Sequence, residues 1–228
     1  MDEQGRTARP AGRSVSATPV ILLHGIWMPG AAMRFLKRWL ESDGQFQCHI
    51  HSYPSVRATL QQNADLLFDF VNGLQVAECH LVGHSLGGVV ALRMLATHDD
   101  APSGRVVCLG SPLCGSSAAN VLVKTRWGKA ITGGTLASGV VHEPASEWTG
   151  SITASRDVGV IAGTVPFGLG RMVTKFAGDN DGTVSVEETR LAGARDHLCI
   201  HLNHTALLSS QQVADQVSAF LRSGRFDR

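Results

Sequence analysis

The segment His80-Leu81-Val82-Gly83-His84-Ser85-Leu86-Gly87-Gly88-Val89-Val90 restricts what this chain can fold into more than any other stretch. An apolar run enters Ser85, and a helix-forming run, Leu86 to about His98, leaves it. A strand, a turn too tight for side chains on its flanks, and a helix together push a serine Oγ out of the backbone's shadow. Gly83 and Gly87 allow the strand and the helix to approach closely, because neither carries a Cβ. The helix N-terminus behind Ser85 presents unpaired N–H groups and a positive dipole end to a developing negative charge. A bare G-x-S-x-G is common by chance. What makes this one a candidate nucleophile turn is that its strand and its helix can both be read.

The same alternation runs along the chain from residue 18. Pro19 to His24 is a short apolar strand, Ala31 to Leu40 has helical spacing, and Gln47 to Tyr53 reads as a second strand stopped by Pro54. Arg57 to Leu74 carries Leu60, Ala64, Leu67, Phe68 and Val71 on one helical face. After the strand and helix around Ser85 come strands at Arg105–Leu109, Val158–Ala162 and His197–Leu202, then a closing helix at Gln211–Leu221. Short apolar strands separated by helices predict a mostly parallel sheet of about six strands with helices on both faces. The regularity breaks at about residue 113. From there to 156 the chain is rich in Gly, Ser, Ala and Thr, and it reads as a cap-like insertion over the sheet's carboxyl edge. We therefore expect a single domain over 18–228 with an insertion at about 113–156. Residues 1–17 are polar, lack an apolar core, and read as a disordered leader rather than a secretory signal.

Composition narrows the function classes. A net charge of +1 over 228 residues leaves no electrostatic footprint for nucleic acid, and no apolar run approaches the length of a transmembrane helix. The five cysteines, Cys48, Cys79, Cys108, Cys114 and Cys199, are odd in number and lack framework spacing. All but Cys114 fall in expected buried strands, which points to reduced thiols and a cytoplasmic location. The run His197-x-Cys199-x-His201-x-x-His204 offers metal-ligand residue types, and Cys199 and His201 could converge on one strand face. It lacks a second pair of ligands elsewhere, so no metal is expected.

Ser85 needs a base, and the base needs a carboxylate to orient it. Asp181 lies in a turn-rich loop, Gly178 to Val184, and His204 stands where the last strand gives way to the last helix. Asp179 is the alternative acid, although Gly182 favours Asp181 at a tight turn. Glu187 and Glu188 read as solvated, and His84 reads as pointing away from the Ser85 side chain. Two backbone donors for an oxyanion are expected at Leu86 and at Ile26, the latter in the loop His24-Gly25-Ile26-Trp27 after the first strand. Trp27, Met28 and Leu113 could line an acyl pocket or belong to the core.

Taken together, Leu22-Leu23-His24-Gly25, Gly83 to Gly88, Gly110-Ser111-Pro112, Asp181-Gly182 and Asn203-His204 resemble small bacterial lipases and esterases of the α/β-hydrolase superfamily. The resemblance spans nearly all of the chain after residue 18. It implies an α/β-hydrolase fold and hydrolysis of small-molecule or lipid acyl esters through an acyl-enzyme, with Ser85, Asp181 and His204 as the triad and no cofactor. An acyltransferase or thioesterase would use the same triad, and a non-catalytic binding protein on this scaffold is the remaining alternative. Oligomeric state is left open.

Overall fold

The computed structural model describes residues 17–116, 144–167 and 178–228. Six strands form one sheet: β1 (Thr18–Leu23), β2 (Phe46–His51), β3 (His80–His84), β4 (Val106–Leu109), β5 (Val158–Gly163) and β6 (Asp196–Ile200). Every neighbouring pair runs parallel, in the order β2-β1-β3-β4-β5-β6. Helices α1 (Arg34–Leu40) and α5 (Gln211–Ser223) cover one face. Helices α2 (Leu60–Gly73), α3 (Leu86–Thr97) and α4 (Gly150–Ser155) cover the other.

Period-two alternation along the strands builds two cores at once. Val20 and Leu22 of β1 join Leu36, Leu40, Val213, Val217 and Phe220 on one side. Ile21 and Leu23 join Leu67, Val71, Val89 and Ile152 on the other. Helix α3 is buried along almost its whole length, which explains why its sequence is apolar on all sides. The long amphipathic helix expected from Arg57 begins at Leu60. Thr59 caps it reciprocally with Gln62, and this capping box sets the start that apolar spacing left open.

Strand order explains where chemistry can occur. The chain steps from β1 outward to β2, then returns past β1 to β3 and continues the other way to β6. Loops leaving β1 and β3 at their carboxyl ends therefore part on either side of a crevice, the switch point at which open parallel sheets bind their ligands.

Several expectations change. Cys199 was expected to be buried and is exposed, because β6 is an edge strand whose outer residues meet solvent. Glu188, expected to be solvated, is buried. Its carboxylate accepts from the Ser185 N–H at 2.8 Å, and its carbonyl accepts from Leu113 and Cys114 at 2.7 and 2.9 Å. Of the two places open to Leu113, acyl pocket or core, it takes the core, fully buried on the α3 side. Of the expected insertion, 117–143 lies outside the described residues, as do 1–16 of the leader. Its described end is packed: Ala145 and Ile152 are buried in the core, and Arg93 of α3 lies 5.3 Å over the Trp148 ring.

Candidate active site

Ser85 stands between the last residue of β3 and the first residue of α3, at φ 53° and ψ −122°. A non-glycine residue there costs on the order of 1–3 kcal/mol and persists only where its surroundings force it. Two hydrogen bonds and two close approaches at glycines do so. The Ser85 N–H donates to the Leu109 carbonyl at 2.8 Å, extending the β3–β4 ladder into the turn. The Gly88 N–H donates back to the Ser85 carbonyl at 3.2 Å. A Cβ on Gly83 would stand 2.3 Å from the Gly88 nitrogen, and one on Gly87 would stand 2.6 Å from the Leu23 carbonyl oxygen. Strand, turn and helix pack at a separation only glycine permits.

The loop after β1 lies against this turn. A Cβ on Gly25 would come within 3.1 Å of the Ser85 Cβ. Its neighbour His24 is buried, and its tautomer follows from its bonds. The Tyr53 N–H donates to Nε2 at 3.4 Å, so Nδ1 carries the proton and donates to the Gly25 carbonyl at 2.7 Å. The Tyr53 hydroxyl donates to the His24 carbonyl at 2.6 Å, and the two rings stack at 4.5 Å. Burial lowers the pKa of His24, in keeping with the neutral ring this network requires. Beyond Gly25, Ile26 is half-buried, and Trp27 is exposed at φ 58°. On the other side of the turn, Leu86 is the first helical residue, so its N–H has no acceptor within α3.

Asp181 and His204 meet although they stand 23 residues apart on separate loops. His204 Nδ1 donates to Asp181 Oδ2 at 2.6 Å, with the carboxylate 1 % exposed. The other oxygen, Oδ1, accepts from the Thr183 and Val184 N–H groups at 2.9 and 2.7 Å, so the acid is held on both sides. The His204 N–H also donates to the Asp181 carbonyl at 2.9 Å. In the neutral ring, Nδ1 committed to the carboxylate leaves the lone pair on Nε2 of His204. Gly163, at the end of β5, makes room for this arrangement. A Cβ there would stand 2.5 Å from the Leu202 carbonyl oxygen and 2.8 Å from the Asp181 Cβ. Asp179, the alternative acid, is exposed.

His84, expected to point away from the Ser85 side chain, turns toward the loop that carries His204. Its Nε2–H donates to the His204 carbonyl at 2.9 Å, and the two rings are 4.6 Å apart. Burial, with His204 and His24 nearby, lowers its pKa to about 3. Tyr53 and His84 make contacts near the site that no local pattern signals. Tyr53 is the chain's one tyrosine, and His84 sits inside the glycine-bracketed motif itself. The run His197-x-Cys199-x-His201 brings no metal cluster together: among the described residues no group of three or more His, Cys, Asp or Glu side chains could hold an ion. Among those residues, too, no helix is long and apolar enough to cross a membrane.

The model of the alpha/beta hydrolase family matches residues 20–219. Among solved structures, the mature lipase BlEst2 of Bacillus licheniformis superposes with a TM-score of 0.68 at 17% identity, covering 93% of this chain and 94% of that one. The metagenomic carboxyl esterase MGS0156 gives 0.63 at 16% identity, covering 96% and 79%. The carboxylesterase CesB of Bacillus subtilis gives 0.55 at 15%, covering 92% and 85%. At these identities the likeness is one of fold. No curated protein matches this sequence.

Proposed function

The chain belongs to the alpha/beta hydrolase family, and from that premise we propose that it cleaves carboxylic esters with Ser85 as nucleophile. The observation that carries the reading is the Asp181–His204 pair, closed at 2.6 Å and joined through the His204 carbonyl to His84, the residue before a serine held in a strained turn. Esterase and lipase neighbours of the same fold support the choice of ester over other bonds.

The geometry suits the following sequence of steps. Ser85 Oγ attacks the acyl carbonyl, and its proton passes to His204 Nε2. Asp181 keeps Nδ1–H in place and stabilises the imidazolium that forms. The N–H groups of Ile26 and Leu86 hold the oxyanion of the tetrahedral intermediate. Collapse expels the alkoxide, which takes the proton back from His204 and leaves an acyl-enzyme. Water repeats the two steps on the acyl group. Burial of the Asp181 carboxylate matters here, since a low-dielectric surrounding strengthens its hold on the imidazolium.

The test pairs a fluorophosphonate probe with p-nitrophenyl esters of increasing chain length. Wild-type protein should be labelled at one serine and should turn over these esters. Ser85→Ala should lose labelling and at least about 10⁴-fold in kcat, while keeping its thermal transition. Labelling that survives in Ser85→Ala refutes the assignment.

A further inference from the structure

We propose that His84 is a positioning residue for the base: by donating from Nε2–H to the His204 carbonyl, it ties the base-bearing loop to the strand that ends in the nucleophile. The inference rests on the reading of Ser85 and His204 as nucleophile and base.

The need for such a tie follows from strand order. Ser85 leaves β3 and His204 follows β6, with β4 and β5 between them. Three strand spacings amount to roughly 14 Å, at about 4.8 Å each, which the loop after β6 must span to bring its imidazole over Ser85. Asp181 orients the ring through Nδ1 and holds the His204 N–H through its carbonyl. Asp181 is itself on a turn, so those two bonds set one loop against another. The 2.9 Å bond from His84 instead reaches β3, in the middle of the sheet, one residue before Ser85. It thereby sets the separation of base and nucleophile directly, and a misplacement of about 1 Å at such a centre costs on the order of 10²-fold in rate.

His84 is poorly suited to any role as mere filler. The side chain is fully buried, and among the described residues its second nitrogen, Nδ1, has no hydrogen-bond partner. An unsatisfied buried nitrogen is unfavourable, and an apolar residue of similar size would remove that penalty. What an apolar residue would lose is the donor to His204. Nδ1 faces the Gly25 turn, where a Cβ would lie 3.2 Å away, so the ring sits between the base loop and the expected oxyanion loop.

The experiment compares His84→Gln with His84→Met. The two side chains are nearly equal in length and volume, but only Gln keeps a donor at the position of Nε2. Packing damage is common to both, so the difference between them reports the bond. We expect His84→Met to lower kcat by about 10- to 100-fold with KM within about twofold, and His84→Gln to keep kcat within about fivefold of wild type. The rate of fluorophosphonate labelling should fall in parallel with kcat. Equal rates in the two variants, or a wild-type rate in His84→Met, would overturn the proposal. His204→Ala separates the two layers of argument. If it stays active, the triad reading fails; if it is dead while His84→Met is unaffected, only the positioning role fails. In ¹⁵N-histidine-labelled wild-type protein, His84 should carry its proton on Nε2 with Nδ1 bare from pH 5 to 9. Should neither variant fold, that spectrum decides, and the opposite tautomer rules the tie out.

Discussion

Acidification from pH 7 to pH 5 should destabilise this protein through its buried histidines. Burial, its largest cause in each case, lowers the pKa of His51 to about 4 and of His84 to about 3, against 6.5 for each ring in water. In the window between those folded values and 6.5, the unfolded chain binds protons that the folded chain refuses. Stability therefore rises with pH across the window and is lost as pH falls below about 6.5. At pH 5 each ring lies about 1.5 units below its unfolded value, a penalty of about 2 kcal/mol apiece and about 4 kcal/mol for the pair. That is a large share of the 5–15 kcal/mol typical of a domain, and His24, His80 and His197 are shifted in the same direction. Urea denaturation followed by tryptophan fluorescence at pH 8, 7, 6, 5.5 and 5 would measure it. The free energy should be level from pH 8 to 7 and then fall with a steepening slope. His51→Asn should remove about half of the slope contributed by the pair. A free energy that stays constant between pH 7 and 5 would refute the reasoning, since it would mean these rings are protonated, or accessible to water, in the folded protein.

Two further outcomes test the site itself. Asp181→Asn should lower kcat by about 10⁴-fold, because an amide there can hold the wrong imidazole tautomer, whereas exposed Asp179→Asn should change it little; ester turnover at saturating substrate checks both. Gly163→Ala should reduce kcat/KM by at least about 10-fold and lower the thermal midpoint. The added methyl would meet the Leu202 carbonyl at 2.5 Å and push the loops of Asp181 and His204 apart.

Much of the architecture was legible from local pattern. Six apolar runs of strand length, spaced by helical stretches, correspond to six parallel strands, because period-two burial and helix amphipathicity are written within ten or so residues. The turn at Ser85 was legible for the same reason: its glycines, strand and helix are neighbours in sequence. The order of Ser85, Asp181 and His204 along the chain is plain in the sequence, and folding brings the last two into contact. Element ends were less so. The start of α2 depended on a capping exchange between Thr59 and Gln62, not on apolar spacing.

Other features needed the tertiary structure. Asp179 and Asp181 are two residues apart in the same kind of turn, and only folding buries one against His204 and leaves the other in solvent. Cys199 and Glu188 exchanged their expected environments, because an edge strand exposes one and a turn packed on Leu113 encloses the other. His84 is the clearest case. Its partner lies 120 residues away, beyond two intervening strands. Sequence records what each short segment prefers by itself, whereas such a bond depends on which strands become neighbours and on which loops then cross the same edge of the sheet.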